Sequence, residues 1–162
     1  MPTPTYDLIA SNVVSSAVAS VTFSSIPSTY RDLVIVMNPL VSTAGNGLLM
    51  RFNSDSGGNY QNLIMRGNGS ATSAFGYTNQ TSVFITFGAV DNVGTITTAS
   101  IFDYNQTDKH KSVLARHNSV TSVVEQIGAR WANTAAINNI SIIGNGVNIT
   151  AGSSFYLYGI VG

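Results

Sequence analysis

The sequence predicts an all-β protein: a jelly-roll-like antiparallel β-sandwich of roughly ten strands with little helix. Three observations carry this. Of 162 residues, 20 are Ser, 16 Thr and 16 Asn, and short hydroxyl and amide side chains favour turns and strands over helix interiors. Glu occurs once, at Glu125, and Lys twice, while Gly or Asn interrupts almost every stretch long enough for a few helical turns. Apolar segments of strand length alternate with turn residues from one end to the other, at the spacing of a sandwich or barrel.

In chain order, strands are expected near Tyr6 to Ala10, Val18 to Phe23, Asp32 to Asn38, Leu48 to Asn53, Tyr60 to Arg66, Ser82 to Phe87, Thr95 to Tyr104, Ser112 to Arg116, Val120 to Trp131 with a break, Asn139 to Ile143, and Ser154 to Val161. Asn46-Gly47, Asn68-Gly69 and Asn145-Gly146 supply Asn-Gly pairs, which accept positive φ and suit tight turns. Gly57-Gly58 adds another. Pro27 and Pro39 flank the segment at Asp32 to Asn38, where no ladder hydrogen bond is needed. From Glu125 to Asn139 the residues Ile127, Trp131 and Ala135 recur four apart, which also suits one face of a short helix, although Gly128 and Asn133-Thr134 weaken that alternative. With no linker, repeat or charge block, residues 1–162 read as a single domain.

Charged residues make up 9%, against about a quarter in an ordinary soluble domain. Seven basic and seven acidic residues cancel. No basic field exists to hold a phosphate backbone, so nucleic-acid binding is disfavoured, and so little repulsion between molecules promotes association. The absence of cysteine excludes disulfides, thiolate metal sites and cysteine nucleophiles. The longest aliphatic run, Leu33 to Met37, is far short of a membrane helix. Met1 to Asp7 places no basic residue ahead of an apolar core, so no signal peptide is expected.

Strands apolar on both faces are the most informative feature. At Asp32 to Asn38, Leu33, Ile35 and Met37 oppose Val34 and Val36. In the last strand Phe155, Leu157 and Val161 oppose Tyr156, Tyr158 and Ile160. A sandwich strand has one face to the core and one to water, so the second apolar face implies cover, either by another chain or by a loop or third layer of the same chain.

Reactive groups are sparse. There is no Gly-x-Ser-x-Gly elbow, and a triad of Asp108, His110 and Ser119 rests on common residue types alone. Asp103 with Asp108, or Glu125 with Asp91, are the conceivable carboxyl pairs for glycoside hydrolysis. No metal motif is complete. Asn53-Ser54-Asp55-Ser56-Gly57-Gly58-Asn59 places oxygens as a cation loop does, yet lacks an acidic cluster and reads better as an uncharged hairpin loop. Gly67-Asn68-Gly69 is a turn rather than a phosphate cradle, since neither Lys-Ser/Thr nor a helix follows. Asp108-Lys109-His110-Lys111, with Arg116 and His117 after it, is the one charge cluster. It is either a solvated loop or a contact for an acidic patch on a partner.

Several phrases together carry a resemblance: Tyr6-Asp7-Leu8-Ile9-Ala10-Ser11; Ile26-Pro27-Ser28-Thr29-Tyr30-Arg31-Asp32-Leu33; Arg51-Phe52-Asn53 leading to Gly58-Asn59-Tyr60; Trp131-Ala132-Asn133-Thr134-Ala135-Ala136-Ile137; and Phe155-Tyr156-Leu157-Tyr158-Gly159-Ile160. The series resembles the small β-sandwich virion proteins of tailed bacteriophages, including cyanophages. The resemblance implies a jelly-roll-like fold, a place on the virion (capsid surface or tail), no enzymatic activity and no cofactor. It carries over no functional residue.

The expected role is therefore a capsid decoration or cement protein bound to the major capsid protein or another virion protein. The alternative is a tail or tail-fibre module that binds host-surface carbohydrate, with Tyr77, Tyr104 and Tyr156 stacking on sugar rings. A carbohydrate-active enzyme is the third reading. Self-association is expected, and the resemblance implies a homotrimer. The candidate subunit or partner contacts are Val34, Val36, Tyr156, Tyr158, Lys109, Lys111 and Arg116, with either the two valines or the two tyrosines in the buried set. Pro27 is read as part of a corner between strands, and Arg51 as a charge paired within the sheet.

Overall fold

The computed structural model describes residues 4–44, 46–88, 90, 95–120 and 123–162. They form twelve strands and no helix: β1 (Tyr6–Val13), β2 (Ser20–Phe23), β3 (Asp32–Asn38), β4 (Leu48–Phe52), β5 (Tyr60–Gly67), β6 (Thr72–Gln80), β7 (Val83–Phe84), β8 (Thr97–Phe102), β9 (Lys111–Asn118), β10 (Val124–Trp131), β11 (Ile140–Gly144) and β12 (Ser154–Ile160). Two antiparallel sheets face each other. The large one runs β1-β12-β3-β8-β9-β10-β5-β6 and the small one β2-β11-β4-β7. The result is the jelly-roll-like sandwich expected from the sequence.

The chain passes between sheets at most connections, and the corners are held by side chains. Between β2 and β3, Ile26 is buried and the Tyr104 hydroxyl donates to the Pro27 carbonyl while accepting from the Tyr30 amide at 3.3 Å. Asn105 donates to the carbonyls of Ser28 and Tyr30. The Tyr30 ring lies so close to Gly159 that a Cβ there would strike it. Between β4 and β5, Asn53 and Ser54 have φ of 50° and 58°, and the Asn53 side chain accepts from the amides of Asn138 and Asn139 and donates to the Ala136 carbonyl. Asn-Gly supplies the β5–β6 hairpin, where the Asn68 side chain caps two amides and Gly69 takes φ 84°. Asn46-Gly47 is a crossing between sheets instead, with Asn46 bridged to Val90.

The core lies between the sheets. Its largest members are Trp131, Tyr60, Tyr104 and Phe52, and the Trp131 ring sits 5.5 Å from Phe52 and 6.3 Å from Tyr60, nearly parallel to the latter. Buried polar groups staple the layers together. Asn62 on β5 donates to Ser82 O and accepts from Phe84 N, tying the large sheet to β7.

Two expectations differ from the structure. β6 is a full strand where a loop was expected, because an edge strand needs one neighbour only and Thr72–Gln80 carries little apolar residue to announce it. The segment at Ser82 to Phe87 pairs over Val83–Phe84 alone, since the amides of both Ile85 and Thr86 turn onto the single carbonyl of Leu48. Val124–Trp131 is a central strand, within the segment expected as one, and the alternative of a short helix is not taken. Ile127 and Trp131 share a face in a strand as they do in a helix, because four is a multiple of two as well as close to 3.6. Thr121 and Ser122, near the start of that expected segment, lie outside the described residues.

Candidate interaction surface

The outer face of the large sheet is where the chain departs most from an ordinary water-facing surface. Eight of the twelve exposed large hydrophobic side chains among the described residues stand on it: Tyr6, Leu8, Val13, Leu63, Met65, Phe102, Leu114 and Val124. Strand register arranges the face in rows. One row crosses all eight strands in the order Leu8, Tyr158, Val34, Ser100, Leu114, Gly128, Leu63, Gly76. The next contains Ser11, Tyr156, Val36, Thr98, Arg116, Gln126, Met65 and Ala74.

The four residues expected at a contact are thereby brought together. Val34 pairs directly with Tyr158 and Val36 with Tyr156, so the valines and tyrosines form one patch rather than two alternatives. All four are half-buried, covered by each other and by the edge strand. The Tyr6 ring meets Tyr158 edge-on at 6.4 Å. No third layer of described residues lies over them. On this half of the face, across β1, β12, β3 and β8, the charged side chain is Asp32 at the strand end, which is 5% exposed, 2.8 Å from Arg31 Nε and hydrogen-bonded to the Asp103 amide.

The charge cluster does not form a patch. Lys109 is exposed and lies 3.4 Å from Asp103. Arg116 belongs to the outer face. Lys111, expected to offer its charge to a partner, is fully buried: its Nζ donates to the carbonyls of Gln106, Lys109 and Thr134 at 2.5, 3.0 and 3.1 Å. Burial lowers its pKa from 10.5, and Asp108 and Asp103 pull it back up. It locks the β8–β9 loop to the segment after β10 and is withdrawn from contact.

The other reactive groups are likewise separated or internal. Asp108 and His110 sit before β9 and Ser119 beyond its far end, about eight residues of strand or 25 Å away, and the Ser119 hydroxyl accepts from the Val123 amide. Asp91 lies outside the described residues. In the loop compared with a cation site, the Asp55 carboxylate accepts from Trp131 Nε1 at 2.7 Å, Gly57 N at 2.8 Å and Asn59 Nδ2 at 2.9 Å. Burial pushes its pKa up, but these three donors together hold it below 3.8. Donors aimed at a carboxylate occupy the lone pairs that a cation needs, so this is a turn. Of the tyrosines expected to stack on sugars, Tyr104 is buried in the corner and Tyr77 packs on Phe84 and Phe87, leaving Tyr156 on the face. Arg51 has a carbonyl and a hydroxyl, both of Thr81, as its hydrogen-bond partners rather than a carboxylate.

A buried polar pair that the sequence did not bring together sits inside the large sheet. Glu125 and His117 are cross-strand neighbours, both fully buried. His117 Nδ1 is 2.8 Å from Thr97 Oγ1. Glu125 Oε2 accepts from the Phe87 amide at 2.7 Å, and Oε1 is 3.7 Å from Arg66 Nε with no hydrogen bond of its own. Burial raises the Glu125 pKa above 4.5 against the pull of that amide and of Arg66.

No protein-family model and no curated protein sequence matches the chain. Among solved structures it is similar to the galectin LEC-6 of Caenorhabditis elegans, at 10% identity over 91% of this chain and 94% of the other, with a TM-score of 0.44. It is also similar to the alginate lyase Aly36B, at 10% identity over 93% and 77% with a TM-score of 0.34, and to Scytalido-glutamic peptidase, at 10% over 88% and 74% with a TM-score of 0.31. Likenesses at this level bear on neither ligand nor activity.

Proposed function

We propose that the protein is a structural component of a tailed-phage virion, a decoration or cement protein that attaches to the shell by burying the outer face of β1, β12, β3 and β8. The observation that carries this reading is the patch of Tyr6, Leu8, Val34, Val36, Tyr156 and Tyr158, which is uncharged, largely apolar and partly exposed. Such a face is unfavourable in water and productive against another protein, at roughly 25 cal/mol per Å2 of apolar surface buried less the costs of association. The phrase-level resemblance to phage virion sandwiches supplies the setting. The role assigned to the chain is binding by surface, without a reaction.

Particles of the phage that encodes the chain provide the test. Cryo-electron microscopy and quantitative mass spectrometry of purified virions are expected to find this sandwich over the shell in hundreds of copies. A handful of copies at the tail moves the protein to the tail-fibre alternative, and its absence from particles overturns the virion role.

A further inference from the structure

The other half of the outer face carries a different pattern. Gly76 on β6, Leu63 on β5, Gly128 on β10 and Leu114 on β9 lie side by side in one row. Leu63 and Leu114 are 54% and 42% exposed, whereas a Cβ built on Gly76 or Gly128 meets nothing within 4 Å. The row is hole, bump, hole, bump. Glycine inside a strand costs roughly 0.5–1 kcal/mol relative to alanine, and nothing within this chain needs the space. Glycine in a strand marks a place where another chain or a ligand comes close, and the hole over Gly128 opens into a depression of about 800 Å3 between Leu63 and Leu114.

The order of the row says what fits. Read backwards, it exchanges every bump for a hole. A second copy turned by a half-turn about an axis running along the strands, between β5 and β10, lays β10 over β5 and β9 over β6. Leu63 then stands over Gly128 of the second copy, and Leu114 over Gly76. In the adjacent row the same operation sets Met65, 52% exposed, over the exposed Gln126, and one row further out a bump again meets a hole. Val124, 54% exposed, stands over Gly67, whose Cβ position is also empty. The charged side chains on this half-face are Arg116 and Arg130, and the half-turn sets Arg130 over Gln61 and Arg116 over Ala74 rather than arginine over arginine.

We propose that β9, β10, β5 and β6 form a twofold homodimer interface in which Leu63 of each copy fills the hole over Gly128 of the other. Four strands about 4.8 Å apart and seven residues at about 3.4 Å give roughly 450 Å2 of plan area per copy. Side-chain relief brings the pair near the roughly 1,200 Å2 at which specific interfaces begin. Face-to-face sheets in sandwiches cross at about 30°, so the match is closest along the central row. The contact is separate from the attachment patch and does not rest on the virion role. It replaces the threefold grouping implied by the resemblance with a closed, isologous pair.

Sedimentation equilibrium of the full chain, from about 1 to 500 μM, is the test. The wild-type chain is expected to double its mass from 17.0 kDa. Gly128→Leu puts bump on bump twice across the axis and is expected to raise the dissociation constant on the order of 100-fold. Its circular dichroism, and its melting at concentrations where both chains are monomeric, are expected to be unchanged, since the new side chain enters open space. The double variant Leu63→Gly/Gly128→Leu exchanges bump and hole on both copies and is expected to recover the dimer. The proposal is overturned by a wild-type chain that stays monomeric, by a trimer, by a double variant no better than Gly128→Leu, or by a monomer that takes up an oligosaccharide in this depression.

Discussion

Lys111 shows how a charge that looks available along the chain is consumed by the backbone. Three carbonyls surround its ammonium group, and each loses its donor if the side chain is cut back. Lys111→Met keeps the aliphatic volume and removes only the donors, and is expected to lower the unfolding free energy by about 3 kcal/mol in denaturant titration. Glu125 gives the complementary case for a carboxyl. Its folded pKa is raised above 4.5, so the folded chain holds a proton that the unfolded chain releases. The contribution of Glu125 to stability is therefore greatest at and below pH 4.5 and falls as pH rises towards the folded pKa, by at most about 1.4 kcal/mol per pH unit. Above the folded pKa the loss is complete and the profile levels. Glu125→Gln is expected to remove that decline from the stability-pH profile, while leaving the Phe87 amide an acceptor.

At the scale of elements, what was legible follows from how much of each strand's pattern was set by burial. β3, whose two flanks are marked by proline and whose every second residue is buried, matches its expected bounds to the residue. β9 breaks the usual alternation at three positions: Lys111 and His117 point inward and Leu114 outward, because the interior supplies carbonyls and a threonine hydroxyl for the polar groups. No single-sequence pattern separates that arrangement from its mirror. For the same reason the Leu63, Leu114 and Gly128 row was invisible: it exists only once four strands are in register. The corners were legible as corners, but their fastenings were not. Asn53→Ala removes three hydrogen bonds that tie the turn after β4 to residues 136–139 and places alanine at φ 50°. It is expected to cost roughly 2–4 kcal/mol, read as a lower melting temperature.

At the scale of the molecule, successive strands in a sheet turn by about 20–25°, so the two halves of the eight-stranded face, centred four strands apart, look in directions about 80–100° apart. One flat partner does not cover both. The chain thus has room for two separate contacts, one without exposed charge and one bearing two arginines. Tyr158→Asp alters the first alone. As Tyr158 is half-buried in the free chain, the substitution is expected to cost about 1 kcal/mol of folding stability yet abolish retention on particles in a sedimentation binding assay. Retention of the wild-type chain is expected to survive molar salt, because the patch holds no exposed charge to be screened. Loss in salt would transfer the contact to Lys109 and Arg116.

The pairing of β1 with β12 reaches to the ends of the strands, where the Val161 amide donates to the Thr5 carbonyl at 3.1 Å. The chain therefore enters and leaves the sandwich at one point, as a bracelet does at its clasp. A sandwich of this kind slots into a surface turn of another protein without prying that turn apart, and it is indifferent to where its own chain is cut. A circular permutant opened between Asn145 and Gly146, with residues 5 and 161 joined through a short glycine-serine linker, is expected to regain the same far-ultraviolet circular dichroism and to melt within a few degrees of the parent.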